Sequence, residues 1–341
     1  MRVTLSLLLA SAAAAQSVDI QFKTIVPQGG SPGLVLIAND DLQWMEIELR
    51  SAGGLRVKKR FPATPHMQSR ELHWKHAPGA QQVIGTIRSQ VREGDPEEQS
   101  LEFESVIATP LDVVIPRDKV DLAGGSLVFT INHPAGKAEI TVRDENAQII
   151  AEDSAFFEGE PAGTPLVIRW DTSDKKPARI DVKAYDKWEF FAGTMIIPWK
   201  AEIPHEEVNF RTDSFDIDAS ETPKLDASFK LINTEVRKLK ALGSIGLTSG
   251  VPPTTAKLYI AGHTDSVDSD EHNDKLSANR AKAIATYFAK KGVPATIYWA
   301  GFGERRLLIR TGDNVDEIRN RRVQYEVGAH EPYPASWHKV P

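Results

Sequence analysis

The sequence predicts a multidomain chain: two N-terminal all-β sandwich-like modules, followed by an α+β domain of order βαβαββ with helices packed on a mixed sheet. Three observations predict this. Up to Pro204, short aliphatic segments are punctuated by Gly, Pro and Asn. One set of these segments recurs at a near-constant offset. Beyond Pro204, helical and strand periodicities alternate.

Residues 1–15 read as a cleaved export signal. Arg2 is the basic start, Val3–Leu9 the short apolar core, and Ala13-Ala14-Ala15 before Gln16 a small-x-small site. The apolar run is too short to span a bilayer. Leu34–Ala38, Met45–Leu49 and Val83–Ile87 then read as strands, the last two with a period of two.

The repeat is visible directly. Gly29–Asn39 resembles Gly124–Asn132, and Ile47–Arg50 resembles Ile140–Arg143. Leu72-His73-Trp74 resembles Ile168-Arg169-Trp170. Ile140 lies 93 positions after Ile47, and Ile168 lies 96 after Leu72. That is the length of one small β-sandwich. The modules are therefore drawn at 17–110 and 111–204. The alternative is a single outer-membrane β-barrel. It needs strands of about ten residues with an unbroken apolar outer face. Arg56–Arg60 and Asp171–Lys176 would then have to fall outside the membrane.

The third domain is drawn at 205–328. Val208–Phe210 reads as its first strand. Thr222 caps a helix with Pro223 at its first position. Leu225, Phe229, Ile232, Val236 and Leu239 line one face of that helix, and Gly243 stops it. After Gly250–Thr255 comes a strand, Leu258–Ala261. A second helix starts at Ser277, buries Ala281, Ile284, Ala285 and Phe288, and ends at Gly292 and Pro294. Thr296–Ala300 is the next strand. Val323, Tyr325 and Val327 alternate in the last one. Residues 329–341 are polar with prolines and read as a flexible tail.

Composition removes several function classes. With 41% hydrophobic and 26% charged residues the chain is ordinary globular material. A formal charge of −6 gives no basic field for nucleic acid. The chain contains no Cys, which excludes disulfides, thiolate metal sites, a cysteine nucleophile and a lipidated N-terminal Cys. It carries no H-E-x-x-H or phosphate-loop motif. The expectation is a non-enzyme with no cofactor and no metal. The basic runs Arg56–Arg60 and Arg319–Arg322 read as solvated faces.

The stretch Leu258–Ala281 carries the chemistry. Its strand ends in Gly262-His263-Thr264-Asp265, an acidic loop follows, and Arg280 sits in what reads as the first turn of the next helix. A carboxylate and a guanidinium facing one cleft suit a zwitterion, with an ammonium on Asp265 and a carboxylate on Arg280. The same two residues read equally as an internal ion pair. Asp268, Asp270, Glu271 and His272 read as a solvated loop. A calcium loop would want Gly and Glu where Asn273 and Asn279 stand.

Gly262-His263-Thr264-Asp265, then Asn273-x-x-Leu276-Ser277-x-x-Arg280-Ala281, then Gly301-Phe302-Gly303-Glu304, then Asn320-Arg321-Arg322-Val323 resemble the OmpA-like peptidoglycan-binding domain family over about 206–327. The resemblance implies non-covalent binding of peptidoglycan through the diaminopimelate zwitterion of the stem peptide. It implies Asp265 and Arg280 as principal contacts. Thr264, Asn273 and Leu276 would shape the cleft, and Arg321 would add a positive charge. It also implies an exported protein of the periplasm, associated with the outer membrane. The N-terminal modules would face another envelope component. Some family members carry a barrel before this domain, which keeps the integral-membrane alternative in view. One departure stands out: the family's Gly-Arg pair before Asn-Arg-Arg is replaced by Asp316-Glu317-Ile318-Arg319.

Overall fold

The computed structural model describes residues 16–172, 174–211, 214–245, 255–333 and 335–341. Residues 1–15, expected to be an export signal, together with Asp213 and most of the Gly/Pro-rich stretch before Leu258, lie outside the described residues. The chain divides into two compact units, one ending at Asp112 and one running from Val113 to Pro341.

The first unit is all β. Its strands are β1 (Val18–Lys23), β2 (Ile25–Pro27), β3 (Gly33–Ala38), β4 (Leu42–Ser51), β5 (Arg56–Phe61), β6 (Ser69–His73), β7 (Gly79–Val91) and β8 (Glu97–Ala108). They form a three-stranded sheet, β1-β3-β6, and a five-stranded sheet, β2-β8-β7-β4-β5. Inward residues of both sheets, among them Leu34, Leu36, Met45, Ile47, Leu72, Val83 and Ile87, make one core. Trp74 closes it, its indole donating to the buried Ser105 hydroxyl at 3.0 Å. β5 is the edge strand, and its basic residues face solvent. Lys58 pairs with Glu46 and Glu48 across to β4. Charge on an exposed edge blocks pairing with another chain.

The second unit opens with the repeat: β9 (Val113–Val114), β10 (Val120–Asp121), β11 (Ser126–Ile131), β12 (Ala135–Arg143), β13 (Ile149–Phe156), β14 (Leu166–Arg169), β15 (Arg179–Asp186) and β16 (Phe191–Ile196). The pairings match the first module. β3 pairs β6 with Leu34 opposite Leu72, and β11 pairs β14 with Leu127 opposite Ile168. β4 pairs β5 and β7, as β12 pairs β13 and β15. Trp74 and Trp170 are each 5% exposed. Among the described residues every sheet is an open path of strands, so the barrel alternative is corrected to two sandwich-like modules.

The C-terminal domain follows with β17 (Lys200–Glu202), α1 (Thr222–Ser244), β18 (Lys257–Gly262), α2 (Asp270–Lys290), β19 (Thr296–Gly301), β20 (Val323–Gly328) and β21 (His338–Lys339). Its sheet runs β17-β20-β18-β19-β21, with β18 and β19 parallel and the rest antiparallel. Leu225, Ile232, Val236 and Leu239 of α1, with Ala281, Ile284, Ala285 and Phe288 of α2, cover one face.

Four expectations need correction. The opening strand is Lys200–Glu202, not Val208–Phe210, because β17 already occupies the free edge of β20. Val208 still packs in the core. The boundary at 204/205 is not a division: Ala178 and Ile197 of the second module share the core of the C-terminal domain. The buried Arg179 also donates to the Leu242 carbonyl at the end of α1. α2 begins at Asp270 rather than Ser277. Ser269 caps it, and Asp270 and Glu271 lie in its first turn, where the helix dipole favours acids. The 329–341 segment pairs with β19 through β21, and Tyr333 and Trp337 pack on Phe302.

Candidate functional site

The glycines of two of the motifs let α2 lie directly on the sheet. A Cβ on Gly262 would stand 2.1 Å from the Ser277 carbonyl oxygen, and one on Gly301 would stand 2.5 Å from the Ala278 nitrogen. Only a residue without a side chain permits that approach. The strand ends are then stitched together. His263 N donates to Arg322 O at 2.9 Å, Thr264 N to Gly303 O at 3.0 Å, and Phe302 N to Gly262 O at 2.9 Å. Ser277 Oγ accepts from Gly303 N at 2.9 Å. Four segments far apart in sequence thus meet at the start of α2.

Asp265 lies at this junction, 6% exposed. Its carboxylate accepts from Arg321 Nη1 at 2.5 Å. Arg321 is 37% exposed along its side chain, and the same nitrogen bonds Asp316. The two carboxylates, Asp316 first, hold the Arg321 guanidinium above its ordinary pKa. Asn273, on the first turn of α2, donates to Val267 O at 2.9 Å and to Glu304 Oε2 at 3.0 Å. It fixes the loop that carries Asp265. Ser266 Oγ donates to Gly312 O at 2.6 Å and accepts from Val315 N at 3.2 Å, which pins the 311–315 loop beside it. Asn320 holds Ile309 from both sides, at 2.9 Å each way.

Arg280 lies further along α2. Asn273, Leu276 and Arg280 follow at steps of three and four, so they share one helix face. Leu276 is half-buried. The Arg280 guanidinium sits 5.1 Å from the Phe210 ring centroid, and its Nε donates to Ser214 O at 3.1 Å. Because α2 starts earlier than expected, Arg280 is in its third turn and does not lie at the helix-start amides.

The structure therefore joins Asp265, Asn273 and Arg321 through one loop and sets Thr264 beside them, 2% exposed with its hydroxyl buried. It fastens Arg280 to Phe210 and Ser214. Asp316, Ser266 and Glu304 were missed in the sequence. An acid five positions before Arg321 was the available signal for Asp316. His263, 2% exposed, stacks on Phe302 at 5.4 Å. Burial, and then the nearby Arg322 charge, push its pKa down to about 3, so it stays neutral.

Residues 209–321 match the OmpA family model. Outer membrane protein P5 of Haemophilus influenzae is 41% identical over 70 residues, covering 20% of this chain and 19% of the relative. The sodium-type flagellar protein MotY of Vibrio parahaemolyticus is 36% identical over 72 residues, covering 21% of this chain and 25% of the relative. An outer-membrane protein of Borrelia burgdorferi of known structure is 24% identical with a TM-score of 0.24, covering 37% of this chain and 83% of that one. The match spans about a fifth to a quarter of the length of these curated relatives.

Proposed function

We propose that the OmpA-like domain at the C-terminus of this chain binds peptidoglycan non-covalently, gripping the zwitterionic end of diaminopimelate in the stem peptide. The observation that carries this reading is the state of Asp265. A buried carboxylate is held by a cation that is itself exposed and already shared with a second acid. An incoming ammonium displaces the Arg321 guanidinium from Asp265, and Arg321 retains Asp316. Arg280 takes the ligand carboxylate through its planar fork. Thr264, Asn273 and Leu276 form the walls.

The protein works by binding, without catalysis. It is an envelope protein of the periplasm, associated with the outer membrane. Its N-terminal modules meet another envelope component, which the domain tethers to the wall. Two or three charge-assisted hydrogen bonds, each worth roughly 1.5–3 kcal/mol, give a modest single-site affinity. A polymer with many sites raises retention by avidity.

The test is retention on purified sacculi by the full chain and by Asp265→Asn and Arg280→Ala. The reading expects both variants to wash off. If Asp265 serves only the loop through Arg321, Asp265→Asn lowers stability while retention stays at the wild-type level, and the reading is wrong.

A further inference from the structure

The same sheet has an open edge that the proposed cleft does not use. β21 pairs with β19 only at Tyr298–Lys339 and Trp299–His338. β19 continues to Gly301. Val340 N donates to Ile297 O at 2.9 Å, which places the peptide groups of residue 297 on the β21 side. Strand alternation carries this to residues 299 and 301. Gly301 therefore presents its N–H and C=O beyond the point where β21 stops. Its carbonyl receives a long 3.5 Å contact from Arg305 Nη2.

A cavity of about 410 Å³ opens there, between α2, the end of β19 and the C-terminal segment. Its walls differ in character. Trp299, Phe302 and Ala278 are apolar. Asp274, Arg305 and Ser336 add polar groups to the same lining. Arg305 pairs with Asp274. Asp274 follows Asn273 directly, so this cavity and the Asp265 loop share one turn of α2. Ala335, Ser336 and His338, which line one side, lie beyond the residues that match the family model.

We propose that this cavity is a second binding site, and that it takes one N-acetylated amino sugar. The acetamido group is a peptide mimic. Its N–H and C=O complete the pairing that the Gly301 edge leaves open, and its methyl lies against Trp299 and Ala278. Ring hydroxyls meet Asp274, Arg305 and Ser336. The volume falls within the range of small-ligand sites and accommodates one pyranose. That this sugar belongs to the glycan strand of the wall rests on the function proposed above. The chemistry of the cavity does not.

The experiment is saturation-transfer NMR on the full chain with N-acetylglucosamine, with N-acetylmuramyl-L-alanine, and with glucose as the sugar lacking the acetamido group. Strong transfer to the acetyl methyl is expected, with glucose giving little. Trp299→Ala should weaken the signal roughly tenfold, the loss of about one contact wall. Ser336→Trp, which fills the cavity from the C-terminal segment, should do the same and covers the case in which Trp299→Ala does not fold. Asp265→Asn should leave the signal unchanged, so loss of sacculus binding and loss of sugar binding are read separately. No transfer, equal transfer to glucose, or full signal in Ser336→Trp would overturn the proposal.

Discussion

His263 makes the C-terminal domain acid-sensitive in a way that can be measured. The ring is 2% exposed and stacked on Phe302. In the unfolded chain a histidine takes up a proton near pH 6.5. In the fold it resists until about pH 3, because burial and Arg322 oppose the charge. Between those values the unfolded state binds more protons, so stability falls as pH falls from 6.5 towards 3. At about 1.4 kcal/mol per pH step, the full loss is on the order of 5 kcal/mol, with roughly 3 kcal/mol gone by about pH 4. The chain has no Cys, so Lys290→Cys gives a single labelling point on the exposed side of α2. Urea unfolding reported by a dye at that position isolates this domain from the first unit. Carboxylates also titrate at the low end, so the decisive quantity is the difference between wild type and His263→Phe. The variant should lose about 3 kcal/mol less on going from about pH 7 to about pH 4. Parallel losses in the two proteins would refute the assignment of the effect to this ring.

Other substitutions test the scaffold. Gly262→Ala forces a Cβ to within 2.1 Å of the Ser277 carbonyl and should cost at least about 1–3 kcal/mol, read as a lowered melting temperature. Asn273→Ala removes the amide that holds Val267 and Glu304 and should cost about 1–3 kcal/mol. Hydrogen exchange at residues 265–269 should accelerate with it. Trp337→Ala removes a ring packed on Tyr259 and Phe302 and should cost about 1–3 kcal/mol, with faster proteolysis of the C-terminal segment.

Much of the fold was legible because it is written in local pattern. The two Trp-bearing segments and the two Gly-Gly-Ser segments sit at equivalent places in equivalent sheets, since the same alternation builds the same pairings. The helix faces were readable from their period, as the burial of Leu225, Ile232, Ile284 and Phe288 records. The start of α2 was not. Ser269-Asp270-Glu271 looks like loop material unless the helix dipole is credited with holding acids in the first turn. The edge strand was misplaced because which segment reaches β20 first is a tertiary matter. The C-terminal segment was judged by its polar average, while two aromatic residues decide where it lies. At the candidate site, Asp265 was singled out from its place at a strand end, and its neighbours from the motif resemblance. Its pairing with Arg321, 56 positions away, leaves no local trace.

β17 has a practical consequence. The three residues that lead out of the second module are also a rail of the next sheet, hydrogen-bonded to β20 along their length. A fragment cut at the apparent junction near residue 205 would lose that rail and the packing of Ala178 and Ile197 together. Grafting the C-terminal domain onto another protein therefore requires taking the chain from Val113 onward. Within the second unit, a load passing from the repeat module into the C-terminal domain would be carried by β17 in shear against β20.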